Sequence, residues 1–247
     1  MTMLTLLSED GHEIFIKNMI VSQVFRSCNI YHIEIILIFL YCEIIEIFMS
    51  QFWNERYQDN SYVYGEEPNL YLKKYIDHKP PKRILFVCEG EGRNAVYAAT
   101  KGWKVEAFDS SIEGKRKAEK LAQKNNSSIN YQVADASVIE YPNATFDIIA
   151  IIYTHLPEEI RKQLHKRCIQ WLVPKGEIIL EAFEPKQLNN TSGGPKDKNQ
   201  LYTIELLQKD FESLEIHHLA YHETELHEGP FHNGKANIIR MIASKSR

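Results

Sequence analysis

Between residues 69 and 244 the apolar positions come as short runs whose spacing alternates between continuous and helical, with proline, glycine or charge at each change. Asn69 to Ile76 has helical spacing and stops near Pro80-Pro81, where no amide hydrogen is available to continue a helix. Arg83 to Cys88 reads as a buried strand running into glycines, Asn94 to Lys101 as a helix, and Lys104 to Phe108 as a strand ending at Asp109. A helix over Ser111 to Lys124, strands over Asn130 to Ala134 and Phe146 to Ile152, and a helix over Pro157 to Trp171 continue the alternation. Lys175 to Phe183 follows as a strand and Thr203 to Phe211 as a helix. This repetition predicts an α/β fold, a Rossmann-like doubly wound parallel sheet with helices on both faces. The last two strands, Leu214 to Tyr221 and Asn237 to Ala243, have no helical pattern between them. They are expected to pair antiparallel, joined by the polar segment Glu223 to Ala236.

The first 48 residues break the pattern. Residues 30–48 are rich in isoleucine, but Glu34, Glu43 and Glu46 leave only Ile35 to Cys42 as an uncharged apolar run. A spanning helix needs about 20 apolar residues. Glu9, Asp10 and Glu13 stand where a secretory signal carries basic residues. Enzyme-like composition begins at Met49. We therefore expect an N-terminal extension over 1–48, either an upstream reading-frame artefact or a poorly packed segment, and one domain over 49–247.

With 247 residues, 44% of them apolar and 25% charged, the chain is long enough to bury a real core. The net charge of -4 comes from residues 1–48, with six acids and two bases, since residues 49–247 hold 27 of each. Scattered bases in a neutral body argue against nucleic acid as a partner. Lys115-Arg116-Lys117, the densest basic run, reads as a solvated helix face. Cys28, Cys42, Cys88 and Cys168 lie far apart with no C-x-x-C pair, which excludes a disulfide framework or zinc ribbon. A cytoplasmic protein with reduced thiols and no stable membrane insertion is expected.

The candidate chemistry begins at Val87-Cys88-Glu89-Gly90-Glu91-Gly92-Arg93-Asn94-Ala95, where a buried strand meets a helix and glycines let backbone approach a ligand. The turn satisfies G-x-G-x-x-A, and Asp109 follows Gly90 by 19 residues at the next strand end, as a ribose-binding acid should. A nicotinamide dinucleotide and S-adenosylmethionine therefore compete. Glu89 and Glu91 would repel a pyrophosphate but balance a sulfonium, which favours the latter. Asp135, in Ala134-Asp135-Ala136-Ser137, follows the third strand and could accept an adenine amino hydrogen. Tyr153 and His155 follow the fourth strand, at the edge where open α/β sheets bind ligands, although His155 could equally cap the next helix.

FWNERY at 52–57, YVYGEEPN at 62–69, CEGEGRNAVYAA at 88–99, Asp109, ADA at 134–136, LVPKGEIILE at 172–181, QLNNTSGGPKD at 187–197 and EGPFHNGKANIIRMIA at 228–243 occur in this order. Together they resemble the class I S-adenosylmethionine-dependent methyltransferases, in particular the small bacterial tellurite-resistance (TehB-like) and thiopurine methyltransferases, over Phe52 to Ser244. The resemblance implies a seven-stranded sheet with a reversed terminal strand and S-adenosylmethionine as cofactor. It assigns Glu89, Gly90 and Gly92 to the methionine portion, Asp109 to the ribose, and Asp135 with Ala136 to the adenine. Glu91, Asn94, Ser110, Ser137 and Tyr153 join this cofactor set, with Glu91 replacing a smaller residue in the family's turn.

The aromatic opening, with Phe52, Trp53, Tyr57, Tyr62 and Tyr64, is either a helix packed over the sheet edge or a lid; the lid reading adds Trp53 and Tyr64 to the cofactor set. Thr191, Ser192, Gly193 and Gly194 form either a flexible loop or a nest of amides for a small anionic substrate. Half of the ten histidines fall between His217 and His232. Strand alternation sends His217 and His218 to opposite faces, so no metal is expected, and His227 and His232 are placed at the rim of the substrate pocket.

The function these residues predict is methyl transfer to a small-molecule nucleophile, a thiol, a metalloid oxyanion or an amine, by in-line displacement. Tyr57 or His155 would remove a proton where the acceptor carries one. Two other readings stand beside it. One is an NAD(P)-dependent oxidoreductase; the other is a noncatalytic S-adenosylmethionine-binding module, membrane-associated through residues 1–48.

Overall fold

The computed structural model describes residues 50–246, together with the strands Leu6–Leu7 and Glu13–Ile14. The chain divides into two compact units, Met1–Ile47 and Phe48–Arg247. In the first, Leu6–Leu7 pairs antiparallel with Glu13–Ile14. Met49, and the boundary expected there, lie outside the described residues.

The second unit is built on seven strands: β1 (Arg83–Val87), β2 (Lys104–Asp109), β3 (Asn130–Val133), β4 (Phe146–Ile152), β5 (Leu172–Phe183), β6 (Glu215–His227) and β7 (Asn233–Ser244). Their spatial order is β3-β2-β1-β4-β5-β7-β6. The first five run parallel, and β7 lies antiparallel between β5 and β6. Successive strands are added to one side of β1 up to β3 and to the other side from β4 on, so the crevice between the ends of β1 and β4 is the topological switch point, where such sheets bind ligands.

Six helices are described: α1 (residues 50–57), α2 (Leu70–Ile76), α3 (Arg93–Thr100), α4 (Ile112–Lys124), α5 (Glu158–Trp171) and α6 (Ile204–Asp210). Two apolar layers sandwich the sheet, as expected where parallel strands are covered on both sides. One contains Leu85, Phe108, Ile149, Leu180 and Trp171, the other Phe86, Ile84, Ala98, Ile148 and Leu72. No described helix is long and apolar enough to cross a membrane.

Three expectations are corrected. The segment Glu223 to Ala236 is mostly strand, because β6 runs to His227 and β7 starts at Asn233. In this edge strand one face is wet and the other is only half-buried and carries His218, His222 and Thr224, so little apolar alternation reveals it. Strand β5 begins at Leu172 rather than Lys175, with Lys175 in the left-handed region at φ 63°. Lys117 is not solvated: it is 2% exposed, on the buried side of α4.

Candidate active site at the carboxyl edge

The sheet edge carries two marks of a functional site. Cys88 and Tyr153 follow β1 and β4 and are both left-handed without being glycine, at φ 50° and 53°. Each such conformation costs on the order of 1–3 kcal/mol and persists where surrounding packing imposes it. Burial pushes the Cys88 thiol well above its ordinary range, with Asp109 and Asp135 adding to the effect, so it is an inert thiol.

From Cys88 the chain enters the glycine turn. Glu89 turns its Oε1 onto the first amides of α3, Asn94 at 2.9 Å and Ala95 at 2.7 Å, as a carboxylate at a helix N-terminus should. Burial nevertheless raises its pKa to about 7 against those bonds. Asp109, at the end of β2, accepts from the amides of Gly90 at 3.0 Å and Ser111 at 2.9 Å. Burial, with a smaller contribution from the charge of Asp135, lifts it to about 6 against those bonds. Asp135 accepts from Ser137 N at 2.6 Å. Ser110 is half-buried beside Asp109, while Ala136 packs into the core.

Residues 50–64 lie across this turn. Gly90 has φ 64°, and a Cβ on it would stand 2.7 Å from the Tyr57 hydroxyl. Trp53 stacks on Tyr57 at 5.4 Å, and Ser111 Oγ donates to Asn54 Oδ1 at 2.7 Å. Glu91 holds the far end of the arm: its Oε2 accepts from the amides of Val63 at 2.8 Å and Tyr64 at 3.3 Å, while its Oε1 lies 2.5 Å from Lys117 Nζ. The Glu91 carboxylate is thus committed to the arm, a use the sequence did not reveal. Asn94 is similarly engaged, its Oδ1 accepting from Asn69 N at 2.9 Å, and Gly92 makes room for Ala118.

Neither proposed base has the required form. The Nε2 of His155 accepts from the amide of Phe183 at 3.2 Å, and its Nδ1 lies 2.7 Å from the carbonyl of Gln200. Burial lowers the imidazole to about 4. Both ring nitrogens are therefore spent on joining β5 to the loop after it. Burial also holds the Tyr57 phenol well above its ordinary range, with Asp109 contributing, so it stays protonated.

The structure instead assembles a site the sequence hinted at only in part. The rings of Tyr64, Tyr153 and Phe183 surround His232, with centroids 4.5, 4.6 and 5.3 Å away. Below them, Tyr153 Oη donates to Glu181 Oε1 at 2.9 Å, Asn69 Nδ2 donates to the same oxygen at 2.6 Å, and Arg240 Nε donates to Glu181 Oε2 at 2.6 Å. Beside them, Glu228 accepts from Arg93 Nη2 at 2.9 Å. Glu181 and Arg240 face each other across β5 and β7, a register invisible in a single strand. His232, expected at the rim of the pocket, is instead buried, at 6% exposure. His227 ends β6 and is exposed.

Among the described residues, the edge holds Glu89, Asp109, Asp135, Glu181 and Glu228 against the guanidiniums of Arg93 and Arg240. A ligand matching this set carries positive charge, hydroxyls for Asp109 and a hydrogen-bond donor for Asp135. S-adenosylmethionine, with a sulfonium, an ammonium, a ribose and an adenine amino group, fits. A dinucleotide, with its pyrophosphate, does not. No group of three or more potential metal-ligating side chains occurs among the described residues.

A family described as a methyltransferase domain matches residues 84–176. Phosphoethanolamine N-methyltransferase 3 of Arabidopsis thaliana is 31% identical over 120 residues, 48% of this chain and 24% of that protein. The chain thus matches about a quarter of that relative's length. Among solved structures, a Methanosarcina mazei protein described as an S-adenosylmethionine-dependent methyltransferase superimposes with TM-score 0.57 at 20% identity, covering 73% of this chain and 99% of its own. TehB from Haemophilus influenzae gives TM-score 0.58 at 17% identity, covering 80% of this chain and 67% of its own.

Proposed function

We propose that this chain is a class I S-adenosylmethionine-dependent methyltransferase, a reading its matched domain and its fold support, and that it passes the cofactor's methyl to a nitrogen of a small molecule. The observation that carries the amine reading is the charge of the edge, where Glu89, Asp109, Asp135, Glu181 and Glu228 stand against the guanidiniums of Arg93, Arg240 and, on the arm, Arg56. Such a field favours an ammonium over an oxyanion or a thiolate. The curated relatives, named for transfer to the amine of phosphoethanolamine, support the same acceptor class.

When bound, S-adenosylmethionine supplies a methyl on a positively charged sulfur that leaves as a neutral thioether. What falls to the chain is binding, alignment and exclusion of water. In this reading Asp109 accepts hydrogen bonds from the ribose hydroxyls, Glu89 with the Gly90 backbone takes the methionine end, and Asp135 with Ala136 takes the adenine. Tyr153 borders the reacting methyl, and Trp53, Tyr57 and Tyr64 close the site against water, where aromatic faces favour the sulfonium. Holding donor and acceptor in line contributes up to about 7–11 kcal/mol in model reactions, so alignment supplies most of what the chain must add.

Isothermal titration of the full chain with S-adenosylmethionine, S-adenosylhomocysteine and NAD tests the cofactor, followed by an acceptor screen read as S-adenosylhomocysteine release. Binding of both adenosyl ligands without NAD, and turnover on amines but not on tellurite, is the expected result. NAD binding alone would promote the oxidoreductase. Adenosyl binding without turnover on any acceptor would promote the noncatalytic module.

A further inference from the structure

His232 sits at the tip of the β6–β7 hairpin with a constellation no other histidine of the edge possesses. Its Nδ1 lies 3.4 Å from Glu228 Oε2, which also takes Arg93 Nη2 at 2.9 Å. Its Nε2 has no partner among the described residues. That nitrogen faces the loop at Gly193, where a side chain is missing: a Cβ there would lie 2.7 Å from His232 Cδ2 and 3.2 Å from Nε2. The rings of Tyr153, at the strained end of β4, and of Tyr64, from the arm, pack against the imidazole with centroids 4.6 and 4.5 Å away. An oriented imidazole with one nitrogen held by a carboxylate and the other left without a hydrogen-bond partner is the arrangement a general base requires.

We propose that His232 Nε2 takes the proton of the methyl acceptor, that Glu228 orients it through Nδ1, and that the acceptor is accordingly a nitrogen nucleophile bearing N–H. The proposal rests on the methyltransferase reading and goes beyond it by naming the base and the acceptor's proton. The acceptor nitrogen first gives its proton to Nε2. Its freed lone pair then bonds the methyl carbon while the carbon–sulfur pair returns to sulfur. The imidazolium so formed is balanced by Glu228, and an ammonium desolvated among the same rings loses basicity, which narrows the gap across which the proton moves.

The groups facing the ring agree with this assignment. Burial lowers the His232 imidazole, with Glu228 opposing and Arg93 assisting, so it is neutral at physiological pH. Burial pushes the Glu228 carboxyl up, but Arg93 and His232 outweigh it and hold the group at about 2, ready to accept from Nδ1. Glu181 stabilises the imidazolium from β5, His155 lies beside the site as a neutral ring, and the phenols of Tyr64 and Tyr153 are held protonated.

The test combines a spectroscopic and a kinetic readout on the full chain. With histidine labelled in 15N, long-range proton–nitrogen spectra at pH 7, with the resonance assigned by His232→Asn, should show a neutral ring protonated on Nδ1, with and without S-adenosylhomocysteine. A ring protonated on Nε2, or charged at pH 7, overturns the proposal. In steady-state assays using 2-aminoethanol and a panel of primary amines, His232→Asn should lower kcat by about a hundredfold or more. The acid limb of the pH profile should vanish, while S-adenosylmethionine affinity changes less than about threefold. Glu228→Gln should leave a smaller defect with the limb displaced. Undiminished kcat in His232→Asn overturns the base assignment. Failure of the adenosyl ligands to bind instead sinks the methyltransferase reading, leaving the tautomer result to stand by itself.

Discussion

Replacing Lys117 with Met probes the pairing that anchors the aromatic arm. The side chains of Lys117 and Glu91 are each 3% exposed and 2.5 Å apart, and Lys117 Nζ also donates to the carbonyl of Ser61 at 2.6 Å. Methionine matches the length of lysine but leaves Glu91 charged and unpaired in the interior. Removing one partner of such a pair costs about 3–5 kcal/mol. With a urea slope of about 2 kcal/mol per molar, the denaturation midpoint should fall by about 1.5–2.5 M.

The deficit should depend on pH with a defined sign. Burial already raises Glu91 above its ordinary 4.5, with Lys117 opposing, and losing Lys117 raises it further. A carboxyl whose folded pKa exceeds its unfolded one makes the folded state bind the extra proton, so stability falls as pH rises through that window. Lys117→Met should therefore recover at pH 5 much of what it loses at pH 8. Adding Glu91→Gln, which removes the orphaned charge and keeps an acceptor for the arm, should recover most of it at either pH. An unchanged midpoint, or a loss equal at pH 5 and pH 8, would refute the claim that Glu91 depends on Lys117.

Asp109→Ala should weaken S-adenosylmethionine about tenfold to a hundredfold in titration calorimetry, the range for hydrogen bonds to a charged acceptor, and unchanged affinity would remove its ribose role. Glu89 and Asp109, lifted to about 7 and about 6, prefer their ionised forms beside a cation. Binding should therefore release protons and tighten as pH rises from 5.5 to 7.5, which calorimetry in buffers of different ionisation enthalpy measures. Conversely, the ligand-free fold should lose stability over the same rise, because both folded pKa values exceed the unfolded ones. His155→Ala should cost about 1–3 kcal/mol in thermal or urea denaturation through the orphaned Phe183 amide and Gln200 carbonyl, while leaving the pH dependence of turnover in place.

The parallel half of the sheet was legible because its strands are continuous apolar runs and each turn is marked by glycine, proline or a capping residue. Asn69 and Ser111 cap the helices expected after them. The antiparallel pairing of the last two strands was legible but their length was not, since β6 is wet on alternate positions and its polar residues read as loop. At the site, Asp109 and Asp135 could be found from their place after strands. His155 could not be dismissed, because its Phe183 and Gln200 partners lie 28 and 45 residues away. His232 required tertiary information of the same kind, its neighbours coming from α3, the arm and the end of β4. Lys117 misled because a basic triplet suggests solvent, and only the depth of Glu91 draws its last member inward.

The hairpin tip meets the arm backbone to backbone. Gly229, at φ 99°, stands where a Cβ would lie 2.5 Å from Gly65 N and 2.8 Å from Val63 O, and Val63 O accepts from Phe231 N at 3.3 Å. A seam made of main chain offers no side chain through which it could be adjusted by small degrees. In a saturation mutagenesis experiment the rings around His232 should therefore tolerate graded exchange, shifting which acceptors are used. Gly229 should tolerate almost nothing, so the positions from which new specificities can arise are separated in the sequence from the one that keeps the two segments together.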